Sequence, residues 1–203
     1  MTQVQVLGLS VLSYLLGAIP FSFLIPKHLM GIDVRKYGSG NPGATNVMRA
    51  CGLSYGLLAL SLDFAKGLLP ALLIVHLEVS ILIAGLAVVG HDWSPFLKFS
   101  GGKGVATSLG VLAALSWSAF LICGALWAGV VYLTRYVSVA SLTALIVSPL
   151  LVWGFGGGGT EIGLMTLLAL LAIYRHRSNL ERLFHGKEHR IGDEGSGSRG
   201  GEA

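Results

Sequence analysis

The chain has 203 residues, of which 53% are hydrophobic and only 12% are charged. Soluble domains carry about 25% charged residues, so this composition excludes an ordinary water-soluble globular class. The formal net charge of +4 would indicate nucleic acid in a soluble protein, but the placement of the cations along the chain points elsewhere. We expect no nucleic-acid partner, and we expect Cys51 and Cys123 to be small apolar fillers.

Apolar stretches predict an all-α integral membrane protein with about seven transmembrane helices, some of them short. The stretch from 104 to 133 has 30 residues and no charge, which is too long for one span, so we divide it near Ser116. We interpret the first stretch as a retained span because no basic residue precedes it. The predicted spans are 4–26, 52–75, 79–97, 104–116, 117–133, 139–155 and 162–174.

The cations then fall on one side of the membrane. Of the 14 Lys and Arg residues, 13 lie in the segments 27–51, 98–103, 134–138 and after 174, whereas Lys66 lies within the second span. The positive-inside rule predicts an outside N-terminus and a cytoplasmic C-terminus. We expect one transmembrane domain over 1–191, in a bacterial inner membrane, and a disordered cytoplasmic tail over 192–203.

The first candidate binding segment runs from Gly38 to Arg49 on the predicted cytoplasmic side. Its glycines allow backbone N–H groups to turn toward an anion, and Arg49 adds a planar cation. An ordinary interfacial loop is the alternative, since Gly and Asn are common in turns. The candidate ligands are Ser39, Gly40, Asn41, Gly43, Ala44, Thr45, Asn46 and Arg49.

The second segment is Gly-Gly-Lys-Gly at 101–104, which leads directly into a predicted helix. Free N–H groups at a helix start beside a lysine suit a phosphate, although the spacing is not that of a Walker A loop. His91 is either a phosphate ligand or a histidine satisfied at a helix end. The candidates are His91, Gly101, Gly102, Lys103, Gly104 and Thr107.

The third segment contains Arg175, His176, Asn179 and Arg182. If the seventh helix continues beyond 174, Arg175, Asn179 and Arg182 share one face. A positive-inside anchor would explain the arginines but not His176 or Asn179.

Asp63 and Lys66 are three residues apart within the second predicted span. Each is costly there unless it is paired, so we expect a structural ion pair. No cluster of carboxylates or histidines has metal-ligand spacing, and we predict neither a metal nor a cofactor.

Together the three segments resemble the bacterial acyl-phosphate:glycerol-3-phosphate acyltransferase family, the PlsY family. The resemblance rests on Ser-Gly-Asn-Pro-Gly-Ala-Thr-Asn at 39–46, Gly-Gly-Lys-Gly-Val-Ala-Thr at 101–107, and Arg175-His176 followed by Asn179. It implies seven membrane helices, a cytoplasm-facing site and no metal. It also implies transfer of a fatty acyl group from acyl phosphate to the 1-hydroxyl of sn-glycerol 3-phosphate, which gives lysophosphatidic acid for phospholipid synthesis.

On this resemblance we expect five candidate catalytic residues: Ser39, Arg49, Lys103, His176 and Asn179. Ser39, Arg49 and Lys103 would hold glycerol phosphate, and the loop 40–46 with His176 would hold the acyl phosphate. Asn179 would orient the attacking hydroxyl or the carbonyl. The remaining candidates would contact substrate. We expect a monomer, with the soluble acyl-phosphate-producing enzyme as a further partner.

Two alternatives remain at this point. Other acyltransferases use His-x-x-x-x-Asp, a spacing that His28 and Asp33 satisfy, but the Phe-Pro-Glu-Gly that accompanies it is absent. A phosphate or organic-anion transporter would instead need cations near the membrane midplane, where only Lys66 is predicted.

Overall fold

The computed structural model describes residues 2–77 and 80–192. Within these ranges the regular structure is helical, with ten α-helices and two short 3₁₀ turns. The predicted tail lies outside the described residues except for Gly192. The helices are α1 (Gln3–Ala18), α2 (Phe21–Met30), α3 (Ala44–Cys51), α4 (Leu53–His76), α5 (Leu82–Asp92), α6 (Val105–Leu115), α7 (Trp117–Thr134), α8 (Val137–Gly154), α9 (Gly159–Arg175) and α10 (Arg177–Phe184).

Helix length and apolar composition identify the segments that can cross a membrane. Three helices qualify alone in the described part of the chain, namely α4, α7 and α8, and α1 with α2 forms a fourth candidate as a bent pair. The other predicted spans correspond to the shorter helices α5, α6 and α9. The all-α class is therefore confirmed for the described residues, together with the expectation that some of the helices are short.

Two predicted spans differ from the observed helices. The first is not one continuous helix, because α1 and α2 meet at an angle of 42° around Pro20. Proline lacks an N–H donor and disfavours a helical conformation at the preceding Ile19. The third predicted span ends as a helix at Asp92, and Pro95 then starts a separate 3₁₀ turn.

The division at Ser116 is confirmed. Ser116 is extended, with φ of −155°, and its hydroxyl accepts a hydrogen bond from the N–H of Ala119 at 3.3 Å. It thus ends α6 and caps the start of α7, because a serine side chain can satisfy an N–H group that the helix leaves unpaired.

Glycines allow two pairs of helices to pack backbone against backbone. A methyl group on Gly17 or Gly90 would collide with the facing backbone where α1 crosses α5. Gly67 and Gly110 occupy the equivalent positions where α4 crosses α6. Small residues at such crossings are typical of membrane helices, where close van der Waals packing drives association.

The predicted ion pair in the second span is confirmed. It also binds the chain at the break between α1 and α2. Lys66 Nζ lies 3.0 Å from Asp63 Oδ1 and donates to the carbonyl of Ile19 at 2.8 Å. The hydroxyl of Ser22 donates to Asp63 Oδ2 at 2.6 Å. The pair thereby satisfies polar groups that the break between α1 and α2 would otherwise leave exposed to lipid.

Candidate functional site

The first binding segment is a loop organised by Asn46. This side chain is buried; its amide donates to the carbonyls of Val34 (2.9 Å) and Tyr37 (3.0 Å), and its Oδ1 accepts from the N–H of Ser39 (3.2 Å). Gly40 has a φ of +69°, which suits glycine. Asn46 therefore shapes the loop that presents Ser39, in addition to facing the cavity described below.

The second segment is closed by two backbone hydrogen bonds. The N–H of Gly101 donates to Asp92 and that of Gly102 donates to His91, both at 3.1 Å. Gly104, with a φ of +68°, then turns the chain into α6. Lys103 is thus held between a closed loop and a helix start.

In the third segment α9 ends at Arg175, one residue beyond the predicted span, so the condition for a shared face is not met. The chain breaks at His176, and α10 begins at Arg177. Arg175 therefore does not share a helix face with Asn179 and Arg182. Its guanidinium instead donates to the carbonyls of Gly101 and Gly102 at 2.7–3.1 Å.

His176 lies at this break and is buried. Its Nδ1 is 2.7 Å from the carbonyl of Ala172, and since a carbonyl only accepts, Nδ1 carries the hydrogen. Burial, and then the charge of Lys103, lower the pKa of His176 to about 4. The imidazole is therefore neutral near pH 7, with Nε2 as an acceptor.

A polar network joins the second and third segments. Lys103 Nζ donates to Asn179 Oδ1, and Asn179 Nδ2 donates to Glu188 Oε1 at 2.6 Å. Glu188 also accepts from Ser138 and from Arg182, each at 2.8 Å. Burial alone would raise the pKa of Glu188, but these hydrogen bonds outweigh it and lower the pKa below 4.5.

The surroundings of Lys103 make its ammonium group easier to deprotonate than that of an exposed lysine. Burial lowers its pKa to about 8; Glu188 opposes this change, whereas the cations Arg182, Arg175 and Arg49 reinforce it. An amine crowded by cations and shielded from water is poised to bind an anion, because the anion restores its favourable surroundings.

A cavity of about 250 Å³, here the first cavity, brings the three segments together. All five candidate catalytic residues line it, from three regions distant in sequence. Of the other candidates, Asn41, Gly43, Ala44, Thr45, Asn46, His91, Gly104 and Arg182 also line it. Apolar residues from α4, α6, α7 and α8 form its other wall, including Leu60, Val105, Leu109, Trp127 and Val137.

A second cavity of about 490 Å³ adjoins the first. The two share Ser39, Asn41, Lys103 and Arg182. Among the remaining candidates, Gly40, Gly101 and Arg175 line the second cavity. Its side chains are mostly polar or cationic, so a cationic compartment lies against one that is largely apolar.

Two candidates, Gly102 and Thr107, line neither cavity. The Thr107 hydroxyl is fully buried and donates to the carbonyl of Asp63 at 2.9 Å, which ties α6 to α4. Gly102 packs against the ring of His91, where a larger side chain would not fit. Both residues therefore support the site from behind.

The candidate site residues left out Glu188, which follows the third segment, and Ser138; both line the first cavity. For Glu188, an acidic residue within a strongly basic stretch was the available signal. No signal marked Ser138, an ordinary serine within an apolar helix.

The His28–Asp33 spacing does not form an acid–base pair here. Asp33 accepts hydrogen bonds from the guanidinium of Arg35 at 2.8 and 2.9 Å. The bond from Arg35 holds the pKa of Asp33 at about 2. Neither His28 nor Asp33 lines either cavity.

Fold and site together define an α-helical integral membrane protein that accommodates an anionic, amphipathic molecule. A family model described as glycerol-3-phosphate acyltransferase matches residues 7–186. Over 186 residues the chain is 45% identical to "Glycerol-3-phosphate acyltransferase 2" of Thermotoga maritima, covering 89% of this chain and 94% of that protein. It is 46% identical to the "Glycerol-3-phosphate acyltransferase" of Desulforudis audaxviator, covering 94% and 98%.

Solved structures agree with the sequence relatives. The chain resembles PlsY (YgiH), an integral membrane glycerol 3-phosphate acyltransferase, in its glycerol 3-phosphate form, with a TM-score of 0.88, 46% identity, and coverage of 92% of this chain and 95% of that one. The lysophosphatidic acid form gives a TM-score of 0.85 at 44% identity and the same coverage. The chain belongs to the glycerol-3-phosphate acyltransferase family, as its three segments predicted.

Proposed function

We propose that this chain transfers a fatty acyl group from acyl phosphate to the 1-hydroxyl of sn-glycerol 3-phosphate. The products are lysophosphatidic acid and phosphate. One observation carries the proposal: Ser39, Arg49, Lys103, His176 and Asn179, from three distant segments, line one cavity. The relatives named for glycerol 3-phosphate and the two PlsY forms support the acceptor and the product.

Ser39, Arg49 and Lys103 would hold the phosphate of the acceptor. A hydroxyl, a guanidinium and an ammonium supply the charge-assisted hydrogen bonds that a phosphate dianion accepts. The loop 40–46 would hold the donor phosphate through the N–H groups of Ala44 and Thr45 at the start of α3, since those of Gly40, Gly43 and Asn46 already donate to carbonyls. This assignment is supported by Asn46, which fixes the loop from behind.

His176 fits a hydroxyl better than the donor phosphate that the resemblance assigns to it. A neutral ring whose Nδ1 already donates to Ala172 offers only an acceptor at Nε2. Such an acceptor repels an ionised phosphate but can orient the 1-hydroxyl of the acceptor. Asn179, already bonded to Lys103, would align the hydroxyl or the carbonyl.

The reaction needs no protein nucleophile, because acyl phosphate is an activated mixed anhydride. The hydroxyl oxygen forms a bond to the acyl carbon, the bond from that carbon to the phosphate oxygen breaks, and the hydroxyl proton passes to the departing phosphate. His176, with a pKa near 4, is too weak a base to keep that proton at neutral pH. The protein contributes placement of two anions and stabilisation of the charge on the reacting carbonyl.

The apolar wall of the first cavity would receive the acyl chain. Leu60, Leu109 and Trp127 line it beside the polar residues. A long apolar chain entering there leaves water or lipid for a hydrophobic surface, while its phosphate remains at the cationic end.

We further propose about seven crossings, with the N-terminus outside and the site facing the cytoplasm of a bacterial cell. The placement of 13 of the 14 Lys and Arg residues supports this topology. A cytoplasmic site is also where a soluble enzyme could deliver acyl phosphate. We expect a monomer, since the five candidate catalytic residues come from one chain.

Purified protein in detergent should transfer acyl groups from acyl phosphate, and not from acyl-CoA or acyl carrier protein. Lys103→Ala should lower the transferase rate at least about 100-fold while the protein remains folded, because it removes a cation that borders both cavities. Lys36→Ala, at an exposed lysine outside both cavities, is the matched control. Full activity of Lys103→Ala, or transfer from acyl-CoA alone, would contradict the proposal.

The transporter alternative is not favoured, since the relatives and both solved structures are acyltransferases. Sealed proteoliposomes provide a direct check. Labelled glycerol 3-phosphate supplied without an acyl donor should not accumulate inside them.

A further inference from the structure

Arg175 makes contacts unlike those of a typical substrate ligand. Its Nε donates to the carbonyl of Gly102 at 3.1 Å, and its Nη2 donates to the carbonyls of Gly101 (3.0 Å) and Gly102 (2.7 Å). Two of the three guanidinium nitrogens are therefore committed to the backbone of the loop that precedes Lys103.

The guanidinium of Arg175 also lies close to two side chains. Its Nε lies 3.8 Å from Asp92 Oδ2, and Asp92 is fully buried. Its Cζ lies 5.3 Å from the centre of the Trp93 ring. The Asp92 oxygen lies beyond hydrogen-bond distance, so the backbone hydrogen bonds and the aromatic face fix the plane of the fork and the direction of its donors.

The same two regions are joined a second time nearby. Arg175, at the end of α9, holds Gly101 and Gly102, and the next loop residue, Lys103, donates to Asn179 on α10. The first connection determines where the Gly-Gly-Lys-Gly backbone lies relative to the helix break. The second depends on that placement, because a lysine reaches its partner only if its backbone is within range.

We propose that Arg175 is a positioning residue: its fork, seated on Asp92 and Trp93, places Lys103 against Asn179 and does not itself bind a substrate phosphate. This inference rests on the proposed function, in which Lys103 holds the phosphate of the acceptor. It revises the expectation that Arg175 contacts substrate. The geometry of the fork is what matters, and the positive charge is secondary.

The principal test is Arg175→Lys, which keeps the charge and loses the fork. Competitive acetylation of Lys103 over a range of pH, read by mass spectrometry, gives the titration midpoint of its amine without any requirement for activity. In the wild type we expect a midpoint of about 8. In the variant Lys103 is no longer held against Asn179 and its amine becomes more hydrated, so the titration midpoint should rise by roughly one pH unit.

Arg35→Lys is the matched control. Arg35 likewise joins a carboxylate, Asp33, to an aromatic ring, Phe23, but lines neither cavity. It should leave both the Lys103 midpoint and the transferase rate within about twofold of the wild type, as expected for an exposed ion pair. Arg175→Lys should lower kcat/KM for glycerol 3-phosphate at least tenfold, about 1.4 kcal/mol.

An unchanged Lys103 midpoint in Arg175→Lys would overturn the proposal, whether or not activity falls; lost activity with that midpoint would indicate a substrate ligand. Wild-type protein that shows the midpoint near 8 but no transfer would instead refute the proposed function and leave the positioning test valid.

Asp92→Asn provides a second variant should Arg175→Lys fail to fold. If Asp92 does not hold Arg175, its replacement should leave glycerol 3-phosphate binding unchanged, or tighten it where Asp92 is ionised. If it seats Arg175, the Kd measured by calorimetry should instead rise severalfold. An unchanged or lower Kd in Asp92→Asn would refute the positioning role.

Discussion

Glu188 gives the sharpest prediction for stability, because three hydrogen bonds converge on one buried carboxylate. Glu188→Ala removes the bonds from Ser138 (2.8 Å), Asn179 (2.6 Å) and Arg182 (2.8 Å). Two of these partners are buried, and leaving a buried donor unpaired costs about 1–3 kcal/mol each. Arg182, whose side chain is 29% exposed, can regain water, so its share is about 1 kcal/mol.

We therefore expect Glu188→Ala to lose about 4 kcal/mol of unfolding free energy. For a chain of this size that corresponds to a Tm lower by roughly 10 °C. Glu188→Gln keeps Oε1 as an acceptor and loses mainly the Arg182 pair, so its loss should be about 1.5 kcal/mol. The expected order of stability is wild type, then Gln, then Ala.

Thermal unfolding in detergent, followed by circular dichroism, measures this order. Glu181→Gln is the control, since Glu181 is a nearby glutamate on α10 that is exposed and lines neither cavity. The pKa of Glu188 is lowered on folding, so its contribution is present above about pH 4.5 and disappears as pH falls through the lower folded value. A Tm for Glu188→Ala within about 2 °C of the wild type would refute this account of the network.

Three other perturbations have definite expected results. Because the pKa of Lys103 is about 8, kcat/KM for glycerol 3-phosphate should fall as pH rises above that value, by about tenfold per pH unit; a flat profile to pH 10 would contradict a required Lys103 ammonium that titrates near 8. Asp63→Asn should lower the unfolding free energy by about 3 kcal/mol, because Lys66 keeps a buried, unpaired charge. A Tm in detergent equal to that of the wild type would contradict this. Gly67→Ala should abolish folding, since the added methyl meets the backbone of α6, whereas Gly163→Ala, with open space around it, should stabilise by about 0.5–1 kcal/mol.

The sequence predicted the elements that depend on local chemistry. The break at Ser116 followed from an uncharged stretch of 30 residues together with the distribution of cations, and the structure confirms it. The pairing of Asp63 with Lys66 followed from the cost of a charge in a lipid-facing helix, and it is confirmed. Both predictions rest on the large free-energy cost of placing an unpaired charge inside the membrane, which leaves few alternatives.

The sequence could not predict features that depend on how helices meet. The predicted span 162–174 ends one residue before α9 does, but the pattern could not show that Arg175 turns to a loop more than 70 residues away. Thr107 resembled a phosphate ligand by its place at a helix start, yet the crossing of α4 and α6 turns its hydroxyl to a carbonyl of α4. Glu188 belongs to the site only because the chain after α10 returns to α8.

The shared wall between the two cavities bears on the order of events during turnover. Ser39, Asn41, Lys103 and Arg182 border both compartments, so occupants of the two must meet across them. We expect a ternary complex, with double-reciprocal plots that intersect rather than run parallel, as they would in a ping-pong scheme. A product whose head group reaches across the boundary would then compete with either reactant.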